Sequence, residues 1–222
     1  MPIVPRQAIA GTSVEGRPIE YISLGDGQTI ILILATIHGN EPAGTPLVHR
    51  LREYLVAHPE LLTGRRVVLV PVANPDGLAR GTRTNARGID LNRNFPAGNY
   101  ASSRRHGAEP LCEPESRALS KLLERFRPQR IVSIHQGLDC VDYDGPGEAL
   151  AQAMVEQTYL PLKKLGGRPG SFGSYAGIVL GIPVITPELP RSDTGRDAES
   201  LWQDYGRMLL AAVCFPDPVP AE

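Results

Sequence analysis

Two residues in the first quarter of the chain have the types and spacing of metal ligands. His38 and Glu41 lie three residues apart, directly after the apolar run at residues 29–37, so both side chains can face one point. Zinc in a hydrolase is bound by three protein ligands with nitrogen or oxygen donors and keeps a fourth position open. His135, at the end of another apolar run, is the natural candidate for the third ligand. The pattern predicts one catalytic Zn²⁺ per chain, although a His-x-x-Glu pair alone also arises by chance on surface helices.

A long polar loop supplies a second set of candidate residues. Residues 74–105 are rich in glycine and polar side chains, and a loop of this length without secondary structure is commonly functional. The first part of the loop carries four arginines, namely Arg80, Arg83, Arg87 and Arg93. Since a guanidinium group binds a carboxylate through two parallel hydrogen bonds, this excess favours a carboxylate-bearing substrate; the alternative is a merely solvated loop.

The elements that must position these residues alternate along the chain. Runs of β-branched and aliphatic residues predict buried strands at residues 20–24, 29–37, 66–72, 131–135 and 183–186. Helices are predicted at residues 42–57, 114–127, 147–165, 174–180 and 197–213. This alternation predicts an α/β domain with a mixed, mostly parallel central sheet and helices on both faces. The candidate ligands follow strand ends, where open α/β sheets place their sites.

Composition limits the classes of partner. The length of 222 residues suits one domain, predicted at residues 1–215 with a C-terminal tail at residues 216–222. The balance of 23 basic and 24 acidic residues and the 5% aromatic content argue against nucleic-acid and membrane-surface partners. The longest apolar run is too short to span a bilayer. Three scattered cysteines and an N-terminus unlike a signal peptide predict a cytoplasmic protein.

Five segments, taken in order, resemble the zinc carboxypeptidase family. They read His-Gly-Asn-Glu from residue 38, Asn-Pro-Asp-Gly from 74, Asp-Leu-Asn-Arg-Asn-Phe-Pro from 90, Ser-Ile-His from 133 and Thr-Pro-Glu-Leu-Pro from 186. The resemblance implies the carboxypeptidase fold and a zinc-dependent hydrolase. By position it implies that His38, Glu41 and His135 bind the metal. It also implies that Glu188 is the general base.

The same resemblance implies roles within the long loop. Asn92 and Arg93 match the pair that binds the terminal carboxylate of the substrate. Asp90 matches the carboxylate that orients the first zinc histidine, which would fix the tautomer of that histidine. Arg83 matches the arginine that polarises the scissile carbonyl group.

Two of the implied assignments leave alternatives open. Arg80 and Arg87 lie close enough to Arg83 in sequence to take its role. Tyr175 lies in the region where digestive members of the family place a tyrosine over the substrate, but a packed or surface aromatic residue is equally compatible with the sequence.

Within the family, the likeness is strongest to bacterial murein peptide amidases, chiefly through residues 83–96. This likeness implies a small peptide substrate with a free C-terminal carboxylate, cleaved at its γ-D-glutamyl–meso-diaminopimelate bond. Diaminopimelate carries an additional amine and carboxylate on its side chain, so its pocket needs charges of both signs. Asp142 and Asp144 are candidates for the amine, and Arg191 and Arg196 are candidates for the carboxylate. The alternative for each of the four is a solvated side chain.

Two other functions are compatible with parts of the pattern. The aspartoacylase and succinylglutamate desuccinylase group, which removes acyl groups from amino acids, also has the His-Gly-Asn-Glu and Asp-Leu-Asn-Arg elements. The segment at residues 74–77 and the sequence around Glu188 favour the carboxypeptidases over that group. A non-catalytic sensor of cell-wall peptides would be expected to have lost a ligand or the base, whereas all of these residues are present.

Overall fold

A seven-stranded β-sheet organises the chain, of which the computed structural model describes residues 4–220. The strands are β1 (Arg6–Thr12), β2 (Pro18–Leu24), β3 (Thr29–Ala35), β4 (Arg65–Val70), β5 (Arg130–Gln136), β6 (Cys140–Asp144) and β7 (Val184–Leu189). The α-helices are α1 (Gly44–Ala57), α2 (Pro75–Arg80), α3 (Pro114–Phe126), α4 (Glu148–Val155) and α5 (Ala198–Cys214). Short 3₁₀ turns cover Pro59–Leu62, Leu91–Arg93 and Arg191–Asp193, and a π-helical turn covers Ser174–Val179.

The sheet is parallel at its centre and antiparallel at both edges. Its strand order is β1-β2-β4-β3-β5-β7-β6, in which the four strands from β4 to β7 run parallel. The pairs β1–β2, β2–β4 and β6–β7 are antiparallel. The predicted α/β fold with a mixed central sheet is therefore confirmed.

Two hydrophobic cores lie on opposite faces of this sheet. Side chains alternate between faces along a strand, so Ile31 and Ile33 of β3 join the first core whereas Leu32 and Leu34 join the second. Helices α1, α4 and α5 cover the first core, and α3 with the π-helical turn covers the second. Both faces of the central strands are thus buried, which explains their uninterrupted apolar sequences.

Three parts of the structure differ from the sequence-based expectation. The helix predicted at residues 147–165 ends at Val155, and the following chain is extended where Pro161 and Lys163 pair with Val141; proline in a helix interior removes a hydrogen-bond donor. Strands β1 and β6 were not predicted, because β1 is mostly exposed and the acidic residues of β6 interrupt any apolar run. The long loop also contains α2. Its N-cap residue is Asn74, whose side chain accepts a hydrogen bond from Gly77 N–H.

The C-terminal segment lies against the body of the protein. Val219 packs on the first core, and Asp217 forms an ion pair with Arg65. Residues 221 and 222 of the predicted tail lie outside the described residues. Among the helices of residues 4–220, none is long and apolar enough to cross a membrane.

The turn after β3 packs directly on helix α2. A Cβ atom added at Gly39 would lie 1.9 Å from the carbonyl carbon of Gly77, so the two backbones approach more closely than any side chain permits. This contact sets the metal-ligand turn at residues 38–41 against the long loop that begins with α2.

We therefore expect Gly39→Ala to lower the free energy of unfolding by about 1–3 kcal/mol, because the added methyl group must displace backbone. Urea denaturation of the metal-free protein measures this change. Gly98→Ala is the matched control, since a Cβ at Gly98 meets no atom within 4 Å. Equal stability of the two variants would contradict the proposed contact.

Candidate active site

Three potential metal ligands converge at the carboxyl end of the parallel strands. His38 follows β3, and a hydrogen bond from Glu41 N–H to His38 O closes the turn between β3 and α1 at 3.1 Å. His135 lies near the end of β5. Glu41 Oε2 lies 2.9 Å from His38 Nδ1 and 3.0 Å from His135 Nδ1, and the two Nδ1 atoms are 3.1 Å apart. All three side chains are buried.

The protonation pattern of this cluster fits a divalent metal. His38 Nε2 lies 3.1 Å from Asp90 Oδ1, and because an ionised carboxylate only accepts, Nε2 carries the proton and Nδ1 keeps its lone pair. Burial alone would raise the pKa of Glu41, but the two adjacent histidines, His135 first, outweigh it and keep that pKa below its ordinary value. Burial lowers the pKa of His135. Two histidines and one ionised carboxylate form the donor set of catalytic zinc sites.

Arg83 connects Glu41, in the metal-ligand turn at residues 38–41, to Asp90. Its Nη1 donates to Glu41 Oε1 at 2.9 Å and its Nε donates to Asp90 Oδ2 at 3.0 Å. Burial alone would raise the pKa of Asp90, but the hydrogen bond with His38 and the charge of Arg83 outweigh burial and lower it. The guanidinium group therefore compensates two buried carboxylates and still lines the cleft above them.

The two alternative arginines lie elsewhere. Arg80 forms an ion pair with Glu15, an exposed residue. Arg87 lies 3.5 Å from Glu113. Of the three arginines considered, the structure brings only Arg83 into the cleft.

Gln136 is a buried residue that the sequence reading missed. Its backbone N–H donates to Glu41 Oε2 at 3.2 Å, and its side-chain oxygen accepts from Ala43 N–H at 2.9 Å. Its side-chain nitrogen donates to Pro190 O and Thr194 Oγ1, each at 3.2 Å. Gln136 thus ties the ligand turn to the segment that follows β7. Its position directly after His135 was the one available signal, since glutamine is not among the usual ligands of zinc.

Asn92 and Arg93 both line the cleft, as expected from the sequence. Asn92 N–H donates to Asp90 Oδ1 at 3.0 Å, and the Asn92 side-chain oxygen accepts from Phe172 N–H at 2.9 Å. Arg93 Nη1 donates to the backbone oxygen of Asn92, and no carboxylate among residues 4–220 forms an ion pair with it. Burial and the charges of Arg83 and Arg168 lower the pKa of Arg93. The Arg93 guanidinium is therefore available for an anionic group of a substrate.

Glu188 lies beside the ligand cluster on the neighbouring strand. Its Cα is the register partner of His135 in the parallel pair β5–β7, so both side chains face the same side of the sheet. Burial, followed by the negative charge of Glu41, raises the pKa of Glu188 to about 7. A carboxylate with this pKa can both accept and release a proton at neutral pH.

The cleft has a volume of about 270 Å³ and carries charges of both signs. Asp142 and Asp144 of β6 line one side, and Arg168 and Arg191 also line it. Asp142 Oδ1 accepts from Leu165 N–H at 2.9 Å, whereas burial and the charge of Asp142 raise the pKa of Asp144.

Two residues proposed from the sequence are not in the cleft. The ring of Tyr175 stacks on Phe95 at a centroid distance of 6.1 Å, and Tyr175 lines a separate groove beside α3. Its position in the π-helical turn directs it toward the second core. Arg196 is held by ion pairs with Asp193 and Asp204 and does not line the cleft. Arg191, in contrast, lines the cleft.

The raised pKa of Glu188 has a consequence for stability. The folded protein binds this proton more tightly than the unfolded chain does, so the free energy of unfolding falls as pH rises from about 4.5 to about 7. We expect Glu188→Gln to raise the Tm of the metal-free protein at pH 8, with a smaller gain at pH 5. Glu124→Gln, at an exposed position of α3, is the control. A gain that does not change with pH would contradict this account.

Comparisons with known proteins agree with the geometry. A family model described as zinc carboxypeptidase matches residues 2–145. Murein peptide amidase A from Escherichia coli K12 is 38% identical over 180 residues, which cover 72% of this chain and 70% of that protein. Murein peptide amidase A from Vibrio campbellii is 35% identical over 199 residues, with coverage of 81% and 77%.

Solved structures of an amidase and a carboxypeptidase are also similar to this chain. The crystal structure of murein-tripeptide amidase MpaA from Escherichia coli O157 aligns with a TM-score of 0.73 and 29% identity over 100% of both chains. Carboxypeptidase A from Helicoverpa armigera shares the fold at a TM-score of 0.76 and 22% identity, with coverage of 96% of this chain and 69% of that one. The chain therefore belongs to the zinc carboxypeptidase family and is a hydrolytic enzyme.

Proposed function

We propose that the protein is a zinc-dependent amidase that cleaves the γ-D-glutamyl–meso-diaminopimelate bond of a murein tripeptide. One observation carries the proposal: a single cleft combines the ligand cluster and Glu188 with acids on β6 and with arginines that form no ion pair within residues 4–220. A peptide with a C-terminal diaminopimelate presents two carboxylates and an amine to such a cleft. The names of the relatives, murein peptide amidase A and murein-tripeptide amidase, support the same substrate class.

The catalytic roles follow from the chemistry of the cleft. His38, Glu41 and His135 would hold zinc, which when bound would supply Lewis-acid activation of water and of the scissile carbonyl group. Glu188, beside the ligand cluster, accepts a proton from the attacking water and transfers it to the leaving amine. Arg83 faces the cleft and stabilises the negative charge that develops on the carbonyl oxygen.

Binding of the leaving group determines which amide bond reaches the catalytic residues. Arg93 pairs with the α-carboxylate of diaminopimelate, and Asn92 lies beside it with its side-chain oxygen already bonded to Phe172 N–H. Fixing this carboxylate orients the adjacent amide bond over the ligand cluster, so the energy of binding also holds the scissile bond in position for attack.

The side chain of diaminopimelate matches the remaining charges of the cleft. Asp144 is buried at one side of the cleft, and no side-chain hydrogen bond engages it within the described part of the chain, so we assign it the distal amine. Arg168 and Arg191 are the cations available for the distal carboxylate. A lysine side chain would fill the amine subsite but leave these arginines without an anion.

The direct test is release of diaminopimelate. We expect the purified protein to convert L-Ala-γ-D-Glu-meso-diaminopimelate to free diaminopimelate, detected by mass spectrometry, and we expect a zinc chelator to abolish this release. N-acetyl-aspartate and N-succinyl-glutamate are included to test the deacylase alternative. A zinc-loaded protein that hydrolyses only the acyl amino acids would overturn the amidase proposal.

Replacing the proposed base should reduce turnover without loss of metal. We expect Glu188→Gln to lower kcat on the tripeptide by about 10²–10⁴-fold, because the glutamine amide cannot accept a proton. Zinc content should remain one per chain, since Glu188 is not a ligand. Glu124→Gln again serves as the control. Turnover that survived the change at Glu188 would remove this residue from the role of base.

Substrate preference should respond to changes on β6 and after β7. We expect Asp144→Asn to reduce the preference for diaminopimelate over 2-aminopimelate, which lacks the distal amine, by about tenfold or more in kcat/KM. Arg191→Gln should similarly reduce the preference for diaminopimelate over lysine. Unchanged ratios in both variants would show that the side chain of the substrate binds elsewhere.

We further propose that the reaction takes place in the cytoplasm. The three cysteines, Cys112, Cys140 and Cys214, are all free, which suits a reducing compartment. Fractionation of cells that make the protein tests this location, and recovery from an oxidising compartment would contradict it.

A further inference from the structure

The arginine and the carboxylate that support the metal ligands come from the two arms of one turn. Asn85 N–H donates to Ile89 O at 2.9 Å, and Gly88 N–H donates to Asn85 O at 3.0 Å. Arg83 lies just before this turn and Asp90 directly after it. The turn therefore determines how far apart these two side chains lie when they contact Glu41 and His38.

The side chain of Asn85 holds this turn closed from the inside. Asn85 is buried, with 2% of its surface exposed. Its side-chain oxygen accepts from Arg87 N–H and from Ile89 N–H, each at 3.1 Å. These bonds cross the base of the turn and satisfy both lone pairs of the amide oxygen.

The side-chain nitrogen of Asn85 attaches the turn to helix α3. It donates to Glu113 Oε2 at 2.7 Å and to Glu115 Oε2 at 3.2 Å. Both glutamates are buried at the beginning of α3, and Glu115 Oε1 accepts from Val14 N–H at 3.1 Å. The Asn85 amide thus uses all four of its hydrogen-bonding positions, and no other residue type has two donors and two acceptors in this shape.

We propose that Asn85 is a positioning residue for the metal centre. Through the turn it sets Arg83 and Asp90 against Glu41 and His38, and Glu113 and Glu115 anchor it to the rigid helix α3. The inference rests on the proposed zinc site but not on the identity of the substrate. Groups that orient metal ligands typically change metal affinity by 10–100-fold when they are altered.

The proposal is tested with Asn85→Asp, which has nearly the same shape. The change replaces two donors by an oxygen that faces two carboxylates, so we expect the turn to open. Zinc affinity, measured by competition with a chromophoric chelator, should fall by about tenfold or more. The Tm of the metal-free protein should fall as well.

A rescue variant separates positioning from a general loss of stability. In Asn85→Asp combined with Glu113→Gln and Glu115→Gln, the donors move to the helix and the acceptor moves to the turn, so the bonds of residue 85 form with reversed polarity, while the exposed ion pair of Arg87 with Glu113 is lost. We expect zinc affinity to recover to within about threefold of the parent protein. Failure of zinc affinity to recover in a variant whose Tm has recovered would overturn the proposal.

Leu119→Ala is the control for stability. Leu119 is a fully buried residue of α3 in the second core, so this change lowers the Tm without touching the turn. We expect its zinc affinity to equal that of the parent protein. If Asn85→Asp does not fold, Asn85→Ala removes the four bonds without adding charge and is measured in its place. Zinc binding of parental strength in the folded Asn85 variant would overturn the proposal, whereas failure of the tripeptide assay alone would overturn only the proposed substrate.

Discussion

The site depends on the compensation of buried charge by a single guanidinium group. Glu41 and Asp90 are both buried and ionised, and two carboxylates held close together in a protein interior repel each other unless a cation lies between them. Arg83 bridges them at 2.9 and 3.0 Å. His38 then lies between the same two acids from the other side. The positions of His38 and Glu41 are therefore supported by Arg83 and Asp90, and do not depend on the metal alone.

The parallel sheet brings the remaining chemical groups to these residues. His135 and Glu188 occupy register-matched positions on β5 and β7, and Cys140 of β6 pairs with Glu188 on the far side. The candidate ligand His135 and the carboxylate of Glu188, whose pKa is raised, thus lie side by side at the same level of the sheet. Because the period of a strand is two residues, a slip of β7 by one residue against β5 would turn Glu188 away from His135, toward the first core.

The sequence predicted the ligands and the fold class because these depend on local patterns. His38 and Glu41 follow a buried apolar strand, and their spacing is readable without knowledge of distant contacts. Gln136 and Asn85 could not be assigned in the same way, since a neutral amide acquires its role only from partners far away in the chain. For Tyr175 the sequence left a role over the substrate and a packed ring both open, and the π-helical turn directs its ring onto Phe95, outside the cleft.

In the proposed function, strand β6 contributes to the choice of substrate but not to the catalytic chemistry. Its two cleft-facing acids, Asp142 and Asp144, alternate with Val141 and Tyr143, which pack on the first core. The strand lies at the edge of the sheet and contributes no metal ligand. Mutations at its outward positions can therefore change which side chain is accepted while the contacts of Arg83 stay intact. An edge strand of this kind would allow substrate specificity to change during evolution while the catalytic residues on the central strands stay the same.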